Sequence, residues 1–284
     1  ASVHAYDAEK KTMLPVAGVV VSSENDYTLA GSGRISGSGG LEKSGGGTLT
    51  LQTANTYTGP TTITGGTLAV DSLGDGGYPS SIGAAGTAAS NLVINGGTLA
   101  LAGEQTNTNR SMTLGASGGG ISVPTSRSLQ ISGQITGSGS LTKTGGGTLT
   151  LTSANSFSGG IFVSEGKVFL PSDTANVSGL GSGLVTLNGG TLAMGDNIDT
   201  SSWATSTWSI HVPSGTAGRL NSDGRCYLTG ALTGGGDFTF YTSYVRTELL
   251  GNWSAFTGRI FVIADSDGGD FRYQSSAGYP SAQL

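Results

Sequence analysis

The sequence repeats itself at a distance of one hundred residues. Residues 45–59 read GGGTLTLQTANTYTG, and residues 145–159 read GGGTLTLTSANSFSG. The match covers a longer window, residues 35–68 of the first copy. A repeat of this length limits the chain to folds that add one structural unit to the next.

A third and more divergent copy follows the first two. WSAFTGRIFV at residues 253–262 aligns with ANSFSGGIFV at residues 154–163, and CYLTGALTGGG from Cys226 aligns with LQISGQITGSG from Leu129. We therefore predict a single domain over residues 1–284, with copies at approximately 1–101, 102–194 and 195–284. The last copy is a candidate for a terminal cap, which an open repeat array needs.

Within each copy, apolar residues alternate with Thr, Ser or Ala in short runs. Leu49 and Leu51 form one such pair, and Leu99 and Leu101 form another. Alternation with period two predicts strands with one buried face, and the glycines between the runs predict corners. Stacked as identical rungs, such strands predict an all-β fold, a parallel β-helix (β-solenoid) with internal repeats of about 100 residues. An array of β-sandwiches is the alternative.

Composition narrows the classes of function. The chain has 51 glycines, 11% charged residues, one cysteine and a net charge of −5. Few Lys and Arg argue against nucleic acid or an anionic membrane as partner, and no stretch is apolar enough for a membrane span. One cysteine excludes an internal disulfide framework. We expect a secreted or cell-surface bacterial protein, a monomer, and a piece of a longer chain because it begins at Ala1 without Met.

Two segments and the chain as a whole carry resemblances. GSGGLEKSGGGTLTLQTANTYTGPTTITGGTL at residues 37–68 resembles the autotransporter-associated β-strand repeat, a marker of exported bacterial β-helices. SYVRTELLGNWSAFTGRIFV at residues 243–262 is similar to segments of pectate-lyase-like β-helices. In size and repeats the chain also resembles the β-helical carbohydrate-binding modules attached to gut bacterial xylanases. This last resemblance implies a glycan-binding role and a fused glycoside hydrolase domain.

All three tryptophans lie after residue 200, where the third copy departs from the others. Trp208 aligns with Arg110 and Trp253 with Ala154, so the scaffold does not need an aromatic residue at these positions. Aromatic faces pack against the C–H-rich faces of pyranose rings. We therefore predict a carbohydrate-binding platform of exposed aromatic residues, formed by Trp203, Trp208, Tyr241, Tyr244 and Trp253. The alternative is that such residues cap the open end of the solenoid.

The repeated motif itself is predicted to be scaffold. Tyr57, Phe157 and Phe256 occupy the same position, two residues before a glycine. Packing needs three copies at rung spacing whereas a functional group rarely does, so we predict that these aromatic residues are packed on a corner or in a stack. Asn55 and Asn155 are predicted to be turn residues whose side chains bond local backbone.

A calcium site and a catalytic groove are further candidates. The possible calcium ligands in DSDGGD are Asp265, Asp267 and Asp270. Their carboxylates suit calcium, although a surface turn explains the same residues. The basic and acidic groups of a possible lyase or hydrolase groove are Arg246, Arg259, Arg272 and Glu248. These residues form no recognisable catalytic motif, so we expect no enzyme activity.

The sequence therefore predicts a non-catalytic carbohydrate-binding module. It would recognise a plant β-glycan, with xylan as the first candidate, and would hold an attached glycanase at that substrate. A structural or adhesive passenger stalk of an exported surface protein is the first alternative. A β-helical polysaccharide lyase or hydrolase is the second. No cofactor is expected, apart from a calcium ion that the three aspartates could bind.

Overall fold

The computed structural model describes residues 6–7, 12–13, 18–104, 107–171, 179–195, 204–222, 226–242, 247–264 and 271–273. Its strands, in chain order, are β1 Tyr6–Asp7, β2 Thr12–Met13, β3 Gly18–Ser22, β4 Tyr27–Leu29, β5 Gly40–Ser44, β6 Thr48–Leu51, β7 Thr61–Ile63, β8 Thr67–Val70, β9 Leu92–Ile94, β10 Thr98–Leu101, β11 Asn107–Thr108, β12 Met112–Leu114, β13 Gly119–Ser122, β14 Ser128–Ile131, β15 Ile135–Gly137, β16 Leu141–Thr144, β17 Thr148–Leu151, β18 Ile161–Val163, β19 Lys167–Leu170, β20 Val185–Leu187, β21 Thr191–Met194, β22 Ala204–Ser206, β23 Ile210–Val212, β24 Ala217–Ser222, β25 Cys226–Leu228, β26 Leu232–Gly234, β27 Asp237–Thr242, β28 Thr247–Leu249, β29 Arg259–Ala264 and β30 Phe271–Tyr273. A single 3-10 turn, Ala89–Asn91, precedes β9.

The strands wind into a parallel β-solenoid of about ten coils with three sides. The first side carries the sheets β3-β5-β7-β9-β12-β15 and β22-β25-β28-β30, the second the sheet β4-β6-β8-β10-β13-β16-β18-β20-β23-β26, and the third the sheet β11-β14-β17-β19-β21-β24-β27-β29. All pairings within these sheets are parallel; among the described residues, β1 and β2 pair antiparallel, as does the isolated bridge between Asn55 and Ser80. The predicted fold class, an all-β parallel β-helix, is confirmed.

The Thr-Leu alternation explains why these segments form strands. In β6, β8 and β10 the leucines Leu49, Leu68 and Leu99 are buried and lie in register, each above the next. Threonine or alanine occupies the outward positions of the same strands, and the β-branched threonines suit the pleated surface. Each buried leucine contributes roughly 1.5–3 kcal/mol of hydrophobic free energy, so stacked apolar side chains hold the coils together.

Coil length varies because one corner can carry an insertion. The register that pairs Leu49 with Leu68 gives a coil of 19 residues, whereas the pairing of Leu68 with Leu99 gives one of 31. The extra residues belong to segment 71–91, which connects β8 to β9, places Leu73 and Ile82 in the core and ends in the 3-10 turn. Insertions are thus confined to corners while the strands keep their register.

The hundred-residue repeat does not equal a whole number of turns. β5 lies on the first side, but its sequence equivalent β16 lies on the second. Likewise β6 lies on the second side and its equivalent β17 on the third. The chain passes the first side at β5, β7, β9, β12 and β15 before it reaches β16. One repeat therefore spans four turns and one third, and each copy is displaced by one side.

Equivalent positions of the copies do not stack on one another, because each copy contains several coils and ends one side further round the solenoid. Leu149 pairs with Leu129 and Val168, its neighbours in the next coils, and not with Leu49. The physical reason is that strand segments stack on whatever lies one turn away, about 4.8 Å along the axis, whether or not it belongs to the same position of the repeat. The division into three copies remains a prediction.

Candidate functional site

Of the three members of the predicted aromatic platform that the structure describes, two lie inside the protein. Trp208 is only 8% exposed and Trp253 only 3% exposed, so the exposure assumed for both is wrong. Tyr241 is half-buried on the outward face of β27. Trp203 and Tyr244 lie outside the described residues. Whether any of the five binds a glycan stays a prediction.

Trp253 packs into the core near the last described coils. Its ring meets Phe238 edge-on, with centroids 6.1 Å apart, and Phe238 meets Phe256 at 6.4 Å. Edge-to-face pairs of this kind add to the burial of three large side chains. This arrangement fits the alternative interpretation, in which aromatic residues fill the end of the solenoid.

Tyr241 lies on a mixed aromatic and cationic surface of the third side. The guanidinium carbon of Arg219 lies 4.5 Å from the centre of the Tyr241 ring, a cation–π contact. In register with Tyr241 are Asn221 on one flank and the exposed Ile263 on the other. One face of the ring is therefore already occupied by a charged neighbour.

The described members of the other predicted groups, Arg259, Glu248 and Arg272, do not come together as one site. Arg259 is exposed and binds the carboxylate of Asp237 on the adjacent strand, with its Nε 2.8 Å from Oδ1. Glu248 and Arg272 are register partners on the first side, not the third. Arg246 and the possible calcium ligands Asp265, Asp267 and Asp270 lie outside the described residues. Among the described residues no cluster of three or more metal-ligating side chains occurs.

The repeated aromatic position is buried, as predicted. Tyr57, Phe157 and Phe256 are all at most 1% exposed, but they lie on the third, first and second sides respectively, as the stepping of the repeat requires. A glycine in the next coil makes room for the ring. Gly181 has φ +70°, and a Cβ there would lie 2.2 Å from the carbonyl oxygen of Phe157 and 3.1 Å from its ring. Only glycine combines this backbone conformation with so close an approach.

The side chain of each repeated asparagine bonds to backbone in the coils on either side of it, and not to backbone within a local turn. The Oδ1 of Asn155 accepts from the backbone N–H of Ile135 at 2.7 Å, and its Nδ2 donates to the carbonyl of Gly179 at 2.7 Å. Asn55 makes the same pair of bonds, to Ile35 at 2.8 Å and to Ser81 at 2.7 Å. The prediction of bonds to local backbone was wrong, because the buried backbone groups that each amide satisfies belong to the coils on either side.

Two buried lysines belong to the same scaffold. Lys143 Nζ donates to the carbonyls of Thr144 at 2.8 Å and Gly145 at 2.6 Å, and Lys43 makes equivalent bonds in the first copy. Burial lowers the pKa of Lys143 to about 8, although the negative charge of Glu165 acts to raise it. The sequence signal, a lysine before GGG in both copies, was present, but it was not interpreted as a buried cation.

Arg110 organises the insertion 71–91, a role that sequence reasoning missed. Its side chain is 2% exposed, and its guanidinium donates to the carbonyls of Gly74 at 2.7 Å, Ala85 at 2.8 Å and Gly83 at 2.9 Å. Burial lowers the pKa of this guanidinium. An arginine with carbonyl acceptors on all sides can hold a loop that has little regular structure of its own.

A cleft lies where Trp208 replaces Arg110. It is a cleft of about 560 Å³ at the corner next to the first side, lined by Asn155, Ser156, Gly181, Ser182, Gly183, Leu184, Thr207, Trp208 and Ser209. Three consecutive coils contribute to it. The indole N–H of Trp208 is buried and has no hydrogen-bond acceptor among the residues that the structure describes.

Comparison with known proteins connects the repeats to exported bacterial surface proteins. The sequence profile of the passenger-associated-transport-repeat family matches residues 41–70 and 141–168. An adhesin of the autotransporter class, BmaC of Brucella suis biovar 1 (strain 1330), is 45% identical over 147 residues, which is 50% of this chain and 4% of the adhesin. No solved structure matches the chain significantly.

The chain therefore carries autotransporter-associated repeats, the resemblance noted at residues 37–68. The matches indicate a secreted or cell-surface bacterial protein, as the sequence predicted. The resemblance to carbohydrate-binding modules of xylanases finds no support among these matches. No helix within the described residues is long or apolar enough to cross a membrane.

Proposed function

We propose that this chain is a segment of the passenger of an exported bacterial adhesin. It would serve as a rigid β-solenoid that holds adhesive surface away from the cell. The observation that carries the proposal is the match of both motif copies to passenger-associated repeats, in a chain 45% identical over half its length to an autotransporter adhesin. The chain spans only 4% of that adhesin's length, so adhesion by this segment is itself part of the proposal.

The architecture supports this function physically. Each coil buries its apolar side chains against the coils on either side, so stiffness extends along the axis and additional coils add length without new topology. The buried bonds of Asn55 and Asn155 join coils where strands are interrupted. Such a rod suits a passenger that must keep its shape outside the cell without disulfides.

Display on a cell tests the proposal. The chain is fused to an outer-membrane translocation domain in a non-adherent bacterium, and a fusion with a globular domain of similar size is the control. We expect surface exposure, resistance of the displayed segment to protease, and attachment to host cells or matrix above the control. Display without attachment would support a spacer and contradict the adhesive role. Failure to reach the surface would contradict the passenger role altogether.

Recognition of a plant β-glycan such as xylan, in the service of an attached glycanase, is the second candidate function. The half-buried Tyr241, with Asn221 and Arg219 beside it, is the observation in its favour, because aromatic and polar groups on a flat sheet suit an extended chain. Affinity electrophoresis against xylan, mannan and mixed-linkage glucan tests it. Loss of retardation in Tyr241→Ala is the expected result, and no retardation by any of the three would remove this candidate.

A further inference from the structure

We propose that the cleft beside Trp208 binds a neutral sugar ring. This proposal rests on the adhesive function proposed above, because it names the chemistry of the surface to which the segment would attach. The cleft is formed by Asn155 and Ser156 in one coil, by residues 181–184 in the next and by residues 207–209 in the third.

The cleft exists because the second copy has a shorter insertion than the first. Residues 71–91 separate β8 from β9, whereas residues 171–184 separate the equivalent strands β19 and β20, seven residues fewer. Five of the missing residues follow the glycine that packs on the aromatic ring, Gly83 in the first copy and Gly181 in the second. In the first copy the longer loop and Arg110 fill this space. In the second copy none of the described residues fills this space, and the cleft results.

The described lining favours an uncharged ligand that is rich in hydroxyl groups. None of the described lining residues has an ionisable side chain, so a charged ligand would lose hydration without gaining a counter-charge. The hydroxyl groups of Ser156, Ser182, Thr207 and Ser209 can both donate and accept, which suits sugar hydroxyls. The apolar part of the lining is Leu184, which is 44% exposed, and Trp208.

The unpaired indole of Trp208 is an independent observation. Its side chain is more than nine-tenths buried, and its N–H has no acceptor among the described residues. A buried donor without a partner lowers stability. The nitrogen itself is not exposed to the cleft, so a sugar hydroxyl could accept from it only with a shift of the ring. A ligand that makes this bond would remove the cost.

The size of the cleft agrees with this ligand class. A volume of about 560 Å³ lies in the range of small-molecule sites and admits one or two pyranose rings. Ser156, Ser182 and Thr207 are exposed at its rim, so a longer glycan can enter by one residue and continue into solvent. The cleft therefore suits a terminal sugar of a glycan on another surface.

Direct titration tests the proposal. The whole chain is titrated with glucose, galactose, mannose, xylose and N-acetylglucosamine, and with glucuronic and sialic acid as charged probes, by saturation-transfer NMR and tryptophan fluorescence. We expect at least one neutral sugar to bind, and Ser182→Phe, which places a ring in the cleft, to weaken binding at least tenfold. Thr207→Phe is a second blocking variant. Ser254→Phe, an exposed serine outside the cleft, is the matched control and should bind normally.

Three outcomes would overturn the proposal: no neutral sugar binds, the charged sugars bind better, or both folded blocking variants bind as well as the wild type. Adhesion of beads coated with wild type and with Ser182→Phe separates this inference from the proposed function. Equal adhesion of the two would refute the cleft as the adhesive site and leave the passenger adhesin intact. Failure of the wild type to adhere would contradict the adhesive function itself.

Discussion

Lys43 and Lys143 occupy the same position of the repeated motif but lie on different sides of the solenoid. Lys43 is in register with Val21 and Ile63 on the first side, and Lys143 with Ile121 and Val163 on the second. The motif therefore specifies a local structure, a strand followed by a glycine corner with a lysine amine bound to its carbonyls. It does not specify a face of the molecule.

Lys143 makes stability depend on pH. Its pKa is about 8 in the folded chain and 10.5 when unfolded, because burial disfavours the charged amine. Between these pH values the unfolded chain binds more protons, so the free energy of unfolding rises with pH through this window. Below pH 8 the amine is protonated in both states, and the full cost, roughly 3 kcal/mol, is present.

We expect this cost to disappear in Lys143→Met. Denaturant titrations at several pH values would show wild type gaining stability relative to the variant between pH 8 and 10.5, with a constant difference from pH 6 to 7.5. Lys43 is present in both proteins, so its own titration cancels. A difference that does not change up to pH 10.5 would contradict the assignment of Lys143 as a buried cation.

Asn155→Ala should destabilise the solenoid by roughly 2–4 kcal/mol, because it leaves the N–H of Ile135 and the carbonyl of Gly179 buried without partners. The midpoint of denaturant unfolding measures the effect. Asn188→Ala, at an exposed position, is the control and should change stability by less than about 0.5 kcal/mol. Similar small effects in both variants would show that the amide does not join the coils.

Arg110→Lys should release the insertion 71–91 without unfolding the solenoid. A lysine cannot donate to the carbonyls of Gly74, Ala85 and Gly83 in the fixed geometry of a guanidinium. Hydrogen exchange should become at least tenfold faster in segment 71–91 and remain unchanged in β16 and β17. Arg127→Lys, at a partly exposed arginine, should leave the exchange of this segment unaltered. Unchanged exchange in Arg110→Lys would refute the role of Arg110.

The fold could be predicted because its signals are local. The alternation of Thr and Leu in TLTL determines a strand, and the glycines determine the corners. Both signals act whichever coils stack on either side. The stepping of the repeat could not be predicted in the same way. It depends on how many strand segments one copy contains, and some of these, such as the corner at Asn155, have no strand of their own.

The burial of the tryptophans could not be deduced from the alignment. Trp208 was expected to be exposed because it aligns with Arg110, a polar residue. Arg110 is itself buried and donates to backbone carbonyls of the insertion. A polar residue at this position therefore did not indicate exposure to solvent. The cleft beside Trp208 likewise depends on the length of a loop. Its presence follows from how three coils pack around that loop, which the sequence alone does not give.

Measuring the register of the coils tests the structure most directly, because the cleft exists only if residues 156, 182 and 207 lie in consecutive coils. In a Cys226→Ala background, Thr142→Cys with Phe162→Cys places two thiols on outward, register-paired positions. Strands about 4.8 Å apart allow this disulfide. Glu42→Cys with Thr142→Cys joins equivalent positions of the repeat, four coils apart, or roughly 19 Å along the axis. The account predicts that the first pair forms an intramolecular disulfide under mild oxidation and the second does not. A disulfide in the second pair and none in the first would contradict it.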